Sequence, residues 1–173
     1  MSLRKTIAVV ASAAAMSVGL IGTAEAAPRT LYYNSAGAAE FVASVDAGAN
    51  VWNTQLPNTV KLVKRNSGSV NITIVADNGW PRAQTTSLGN GRVWMGRQAV
   101  TEGHDKVRIA AHELGHILGL PDRRTGLCTD LMSGASAGTS CKNANPNAAE
   151  KAQVVRNFGG SATVQATTFE DAA

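Results

Sequence analysis

Residues 111–122 read AHELGHILGLPD, and this stretch decides how the rest of the chain is interpreted. In an α-helix, His112 and His116 are one turn apart and share a face, so their imidazoles can reach a single ion. Glu113 lies about 100° around the helix from His112, so it can stand beside that ion without being a ligand. Imidazole suits zinc, and a catalytic zinc site keeps one position open for water. The spacing therefore predicts a zinc site on a helix.

The residues after His116 predict the end of the helix and a third ligand. Gly119 can adopt the left-handed conformation that stops a helix, and Pro121 cannot continue one. Asp122 follows after a short turn, where its carboxylate can complete the ligand set. Two alternatives remain at this stage: a catalytically silent zinc-binding module, and a structural or wall-associated protein in which the motif is accidental. Glu113 disfavours the first alternative, because a structural site needs no base.

The N-terminus has the features of a secretory signal peptide in residues 1–26. Arg4 and Lys5 precede an apolar stretch at 7–21, and residues 24–26 form an A-x-A cleavage site. A membrane anchor is the alternative, but the apolar run is short for a span. We therefore expect a secreted, extracellular protein. It should contain one domain at residues 27–160 and a polar C-terminal extension at 161–173, which we expect to be disordered.

The charge of the chain argues against a nucleic-acid partner. A net charge of +4 over 173 residues is mildly basic, and no dense Lys/Arg cluster with interleaved aromatic residues is present. We expect a monomer that binds neither nucleic acid nor membranes. The two cysteines, Cys128 and Cys141, predict one disulfide in an exported chain. The alternative is a metal site shared with the histidines, although the cysteine spacing fits no usual zinc motif.

The order of predicted elements favours an α+β fold. A helix between the first two strands favours parallel pairing with a right-handed crossover, and a hairpin turn at 89–91 makes another pair antiparallel. We therefore predict a mixed twisted sheet with helices on one face and a polar edge strand at 83–88. The remaining strands are expected at 29–33, 60–64, 70–75 and 92–97. Helices are expected at 36–53 capped by Ser35, from about Asp105 through the zinc motif, and at 147–158 capped by Asn147.

The extended pattern H-E-x-x-H-x-x-G-x-x-D, from His112 to Asp122, resembles the metzincin clan of zinc endopeptidases. An aspartate as third ligand is similar to the snapalysin family of small secreted bacterial neutral proteases. The resemblance covers about residues 30–158 and implies a zincin-like domain with zinc on His112, His116 and Asp122. It also implies Glu113 as general base and then acid, protein or peptide substrates, and a preference for an aromatic residue just after the cleaved bond.

The same resemblance implies roles for residues outside the zinc motif. Snapalysin-like proteins carry a disulfide in the region of Cys128 and Cys141. They also bind calcium just before the active-site helix, where Asp105 and the Val107 carbonyl are the matching groups. Asp105 is equally suited to cap that helix. The antiparallel edge strand of metzincins aligns an extended substrate by backbone hydrogen bonds, and residues 83–88 are the candidate for it.

Two further positions follow from the resemblance. Residues 131–134 resemble the Met-turn, so Met132 is expected to pack beneath the metal as a hydrophobic floor. Family members carry a tyrosine two residues after the aspartate ligand, and this chain has Arg124 there. Arg124 is therefore the candidate substitute for that tyrosine in stabilising the transition state. His104 lies outside the helical register of the ligands, and we expect it to be a surface residue.

Overall fold

The computed structural model describes residues 27–160 and 165–170. The predicted signal peptide at 1–26 lies outside these residues, so it stays a prediction. None of the helices in the described ranges has both the length and the apolar character needed to cross a bilayer. The described residues form an α+β fold, as predicted. In chain order its elements are β1 (Arg29–Gly37), α1 (Val42–Gln55), β2 (Val60–Lys64), β3 (Ile72–Asp77), β4 (Arg82–Ser87), β5 (Asn90–Gly96), α2 (Arg97–Thr101), α3 (Lys106–Ile117), α4 (Ala148–Gly159) and β6 (Thr167–Glu170), with short 3-10 helices at Ala39–Phe41 and Leu131–Ala137.

The strands form one mixed sheet in the order β2-β1-β3-β5-β4-β6. β1 runs parallel to β2 and β3, and β3 runs parallel to β5, whereas β4 is antiparallel to both β5 and β6. Helix α1 connects the parallel neighbours β1 and β2, as the crossover argument requires. Helices α1 and α3 pack on each other and on the sheet, so they share one face of it. The predicted mixed sheet is confirmed.

The sheet differs from the prediction at the strand expected to form its edge. β4 matches the predicted polar strand, but it is not the outermost strand, because β6 pairs along it from Arg82 opposite Glu170 to Thr85 opposite Thr167. Part of the C-terminal extension is thus ordered, and the expectation of disorder is wrong for residues 165–170. Residues 161–164 and 171–173 lie outside the described part of the chain. The local pattern could not show this pairing, which joins segments more than 80 residues apart.

The start of the first helix also differs from the prediction. Ser35 was expected to cap it, but Ser35 is a buried residue of β1, and α1 begins only at Val42 without a side-chain cap. β1 extends past Tyr33 because its second half pairs with β3, with Gly37 opposite Val75. Tertiary pairing therefore overrides the local cap signal.

Close packing of α1 against α3 holds the histidine helix in place. The indole Nε1 of Trp52 is fully buried and donates a hydrogen bond to the Ala111 carbonyl at 2.9 Å. Gly48 allows the two helices to approach, because a Cβ there would lie only 2.8 Å from the Ala110 Cβ and 2.8 Å from the Ala111 nitrogen. Trp52 is thus a core residue. This contact holds the backbone of α3 at Ala111, the residue before the first histidine of the zinc motif.

This packing predicts that Gly48→Ala destabilises the protein. An interior helical glycine usually gains about 0.5–1 kcal/mol on replacement by alanine. Here the added methyl must push α1 away from the α3 backbone, so we expect a loss of about 1–3 kcal/mol in the free energy of unfolding. Urea unfolding followed by tryptophan fluorescence measures the change.

Gly159→Ala is the matched control, since a Cβ at that helical position meets nothing within 4 Å. It should change the free energy of unfolding by no more than about 0.5 kcal/mol. A Gly48→Ala protein as stable as the original would contradict the close approach of the two helices.

Candidate metal centre

The three predicted ligands converge at the end of α3. His112 and His116 are both buried, and their Nε2 atoms lie 3.0 Å apart. Asp122 Oδ1 lies 3.3 Å from the Nε2 of His112 and 3.5 Å from that of His116. Among the described residues, these side chains form a cluster whose donor atoms all lie within 4.8 Å of one another. The structure therefore brings together all three residues that the motif selected.

The hydrogen bonds around the cluster show that a cation fits it. His112 Nδ1 lies 3.0 Å from the Leu131 carbonyl oxygen, and His116 Nδ1 lies 2.8 Å from that of Leu120. A carbonyl oxygen only accepts, so each Nδ1 carries the proton and each Nε2 turns a lone pair into the site. Asp122 Oδ1 is buried and accepts no hydrogen bond within the described ranges. Three facing electron-pair donors repel one another unless a cation lies between them, and two imidazoles with a carboxylate suit zinc.

The ionisation of the ligands agrees with this assignment. The pKa of His116 is lowered to about 3, chiefly because the side chain is buried. The nearby His112 also lowers this pKa, and its effect is larger than the opposing effect of the Asp122 carboxylate. His116 is therefore neutral near pH 7, as a metal ligand must be. Burial raises the pKa of Asp122, but its contacts with His112 and His116 and the charge of Arg124 outweigh burial and leave that pKa below its usual value. Asp122 is therefore ionised.

A glycine turn brings the third ligand back to the helix. Gly119 has a φ of 87°, which a residue with a side chain rarely adopts, and its N–H donates to the His116 carbonyl at 2.9 Å. The Leu120 N–H donates to the Gly115 carbonyl at 3.0 Å, which completes a Schellman-type end. This reversal points the Leu120 carbonyl at His116 and places Asp122 in the site. The predicted stop at Gly119 is confirmed.

Asp105 caps the start of the same helix. Its Oδ1 accepts hydrogen bonds from the backbone N–H groups of Val107 and Arg108 at 3.0 and 2.9 Å. Asp105 is not part of a cluster of three or more metal-binding side chains in the described ranges. Of its two suggested roles, the structure thus shows the helix cap, while calcium binding by Asp105 and the Val107 carbonyl stays a prediction. His104 contacts the Trp80 ring edge-on at 5.8 Å and lies outside the metal cluster, as expected.

Glu113 and Met132 flank the metal cluster without belonging to it. Glu113 is fully buried on α3, next in sequence to His112. Met132 is also fully buried, and a Cβ on Gly115 would lie 2.8 Å from its Sδ. Because Gly115 lies in the helical turn between the two histidines, Met132 packs directly against that turn. Met132 thus packs against the ligand helix, while its role as a hydrophobic floor beneath the metal stays a prediction.

Glu150 is a supporting residue that sequence reasoning missed. Its fully buried carboxylate accepts hydrogen bonds from the N–H groups of Leu131, Met132 and Asn147 at 3.2, 2.8 and 2.7 Å. Asn147 in turn accepts from the Glu150 N–H at 2.8 Å, so the predicted cap of α4 is part of a capping box. The N-x-x-E spacing could have revealed the capping box. The link to the Met-turn depends on tertiary structure.

Arg108 is a second missed residue, and it ties α3 to the cysteine loop. Its buried guanidinium donates to the carbonyl oxygens of Asn143 at 2.5 Å, Asp130 at 2.8 Å and Leu131 at 3.3 Å. The Leu131 carbonyl is also the partner of His112 Nδ1, so Arg108 helps to orient a ligand. The Cys128–Cys141 disulfide closes the same loop with a Cα–Cα distance of 5.4 Å. This confirms the predicted disulfide and shows that the suggested cysteine metal pair is wrong.

Arg124 connects the metal cluster to the C-terminal strand. Its Nη2 lies 3.6 Å from Asp122 Oδ2 and donates a hydrogen bond to the Glu170 carbonyl at 2.9 Å. The neighbouring Phe169 ring stacks on the His116 imidazole, with the centroids 4.1 Å apart and the planes 4° from parallel. The ordered part of the extension thus lies over the metal cluster.

The fold and the site define an α+β domain in which two histidines of one helix and a following carboxylate form a candidate metal centre. The chain belongs to the Streptomyces extracellular neutral proteinase (M7) family, which matches residues 28–159. Family membership confirms the resemblance to snapalysin-like proteases that the H-E-x-x-H-x-x-G-x-x-D pattern indicated. Strand β6 lies beyond the matched region.

Individual relatives agree with the family assignment. The extracellular small neutral protease of Streptomyces sp. (strain C5) is 42% identical over 129 residues, which are 72% of this chain and 54% of that protein. Its counterpart from Streptomyces caespitosus is 35% identical over 125 residues, which are 72% of this chain and 93% of that protein. This chain therefore spans about half the length of the first relative. Archaemetzincin from Methanopyrus kandleri superposes with a TM-score of 0.47 at 14% identity, over 82% of this chain and all of its own.

The contacts of Glu150 predict that Glu150→Gln weakens the Met-turn. The amide keeps one acceptor oxygen but turns an NH₂ group toward backbone N–H donors, which leaves buried donors without an acceptor. We expect the free energy of unfolding to fall by about 1–3 kcal/mol. Urea unfolding measures the change.

Glu102→Gln is the matched control, because Glu102 is exposed and makes one side-chain contact, from Gln98 at 3.1 Å. We expect this control to change the free energy of unfolding by less than about 0.5 kcal/mol. If both variants were equally stable, the proposed support of the Met-turn by Glu150 would be wrong.

Proposed function

We propose that this chain is a secreted zinc-dependent endopeptidase that hydrolyses peptide bonds of extracellular proteins. The observation that carries the proposal is the convergence of three electron-pair donors beside a buried carboxylate. His112, His116 and Asp122 supply the donors, and Glu113 is the carboxylate on the same helix. Membership of the proteinase family and the names of the relatives, which are extracellular small neutral proteases, support it.

The ligand set determines what each residue contributes to hydrolysis. His112, His116 and Asp122 would hold zinc, which when bound polarises the scissile carbonyl and acidifies a water molecule. The Nδ1 hydrogen bonds to Leu131 and Leu120 keep both imidazoles in the ligating tautomer during this cycle. Their rings therefore need no reorientation when the metal binds.

Glu113 would carry the proton. As general base it takes a proton from the attacking water, and as general acid it delivers that proton to the leaving amine. A carboxylate that does not ligate the metal can accept this proton and release it again. The burial of Glu113 keeps bulk water from competing for the same position.

Three finer assignments rest on the family resemblance. Export would use the predicted signal peptide at residues 1–26, and the extracellular relatives support it. A preference for an aromatic residue after the cleaved bond and calcium binding near Asp105 are implied by the same resemblance. Peptide-library cleavage and calcium titration would test the latter two.

Glu113→Gln tests the proposed role of the base. The amide cannot accept the proton, so we expect kcat to fall about 10²–10⁴-fold while one zinc ion per chain is retained. Casein hydrolysis measures activity, and metal analysis by mass spectrometry measures zinc. Chelation should abolish hydrolysis by the original protein, and added zinc should restore it.

Glu102→Gln is again the control, because it removes an exposed carboxylate that is not part of the metal cluster. It should keep both zinc and activity. Full activity in zinc-loaded Glu113→Gln would refute the assigned base. A zinc-loaded original protein without peptidase activity would favour the silent zinc-binding module instead.

A further inference from the structure

Strand β6 occupies the side of the sheet where an extended peptide would pair. Its four residues run antiparallel to β4, from Arg82 opposite Glu170 to Thr85 opposite Thr167. An extended peptide binds a sheet by adding a strand to an exposed edge, where main-chain groups provide the hydrogen bonds. In this structure the chain itself satisfies that edge. A substrate that used the outer side of β4 would therefore have to displace β6.

Side-chain contacts fix β6 at the metal cluster as well as at the sheet. The Phe169 ring covers the His116 imidazole, and the Arg124 guanidinium holds the Glu170 carbonyl. At the other end, the buried Thr85 hydroxyl lies 3.2 Å from the Thr167 carbonyl oxygen and 3.2 Å from the Thr167 nitrogen. Residues 165–170 thus contact both the strand and a zinc ligand.

The chemistry of this segment is that of a bound peptide. It reads QATTFE, is extended, and carries one charged side chain and one aromatic ring. Its backbone pairs with a strand, its carbonyl meets a guanidinium, and its aromatic ring lies flat on a ligand of the proposed zinc. Each of these groups is one that a peptide substrate also presents. The segment lies beyond residue 159, where the family match ends.

We propose that residues 165–170 act as an intramolecular competitor of peptide substrates in this cleft. The inference rests on the proposed peptidase function. While β6 is paired, the cleft is closed to substrate, and substrate binds only to the fraction of molecules in which β6 has separated from β4. The apparent KM is then the intrinsic KM divided by that open fraction, whereas kcat is unchanged. Tethering makes even a short strand effective, because it holds the competitor at an effective concentration of about 1 mM.

Two substitutions in the full chain release the strand by different means. Thr167→Pro removes the backbone N–H that faces β4 and donates to the Thr85 hydroxyl, so it disfavours strand pairing. Phe169→Ala removes the ring that covers His116. Thr167→Ala is the control matched to the proline variant, because the Thr167 side chain is exposed and alanine keeps the backbone N–H.

Hydrolysis of a fluorogenic peptide gives the first readout, with intact mass confirming that each protein keeps its C-terminal segment. We expect the KM of Thr167→Pro to fall about tenfold with kcat within about twofold. Loss of the stacked ring alone should lower the KM of Phe169→Ala about threefold. The Thr167→Ala control should stay within about twofold of the original protein. A synthetic peptide of residues 165–170 should inhibit Thr167→Pro competitively.

Amide hydrogen exchange on metal-free protein gives a second readout that does not depend on activity. The β4 amides that face β6 should exchange faster in Thr167→Pro than in Thr167→Ala, while β5 amides bonded to β3 serve as the internal reference. Equal KM values and equal exchange in all four proteins would overturn the competitor role and leave the peptidase function standing. Absence of hydrolysis by every zinc-loaded protein, including Thr167→Pro, would instead overturn the proposed function itself.

Discussion

The convergence of three electron-pair donors on one point is the constraint on which the rest of the structure depends. Each histidine commits its Nδ1 proton to a backbone carbonyl, so both Nε2 lone pairs must face the Asp122 oxygen. In the absence of a cation these groups repel, and folding energy from elsewhere must hold them together. The carbonyls belong to Leu131 and Leu120, in two loops that follow α3. The position of both loops therefore decides whether a site exists at all.

The molecule holds those loops with buried polar groups rather than with apolar packing alone. Arg108 donates to the carbonyl oxygens of Asp130 and Leu131, and Glu150 accepts from the N–H groups of Leu131 and Met132, so the backbone at the start of the Met-turn is held by one buried cation and one buried anion. The disulfide closes the adjoining loop from Cys128 to Cys141. Trp52 and Gly48 bring α1 against the backbone of α3. The ligand helix is thus held by α1 as well as by the loops that follow it, which is what a preorganised site requires.

The sheet links the metal cluster to the outer side of β4, where we propose that a peptide substrate pairs. Because β4 lies outside β5 and runs antiparallel to it, its outer side is available for an added strand next to α3. In this chain β6 takes that place, and its aromatic ring reaches the second histidine. The outer side of β4 therefore suits both a segment of the chain itself and the peptide substrate that we propose, and the two would compete for it.

Sequence alone determined the parts of this protein that depend on spacing within one element or one turn. These are the three side chains of the metal cluster, the stop at Gly119 and the cap at Asn147. The disulfide and the mixed sheet join different segments, but the cysteine pair of an exported chain and the order of the elements were enough to predict them. Periodicity and turn chemistry are local, so they could be read before the fold was known. Only the tertiary structure decided that Ser35 lies in a strand, that Glu150 and Arg108 hold the loops around the ligands, and that residues 167–170 pair with β4. Each of those features joins segments that are distant in the chain. They are stabilised by burial and by strand pairing between these segments, which a local sequence pattern cannot reveal.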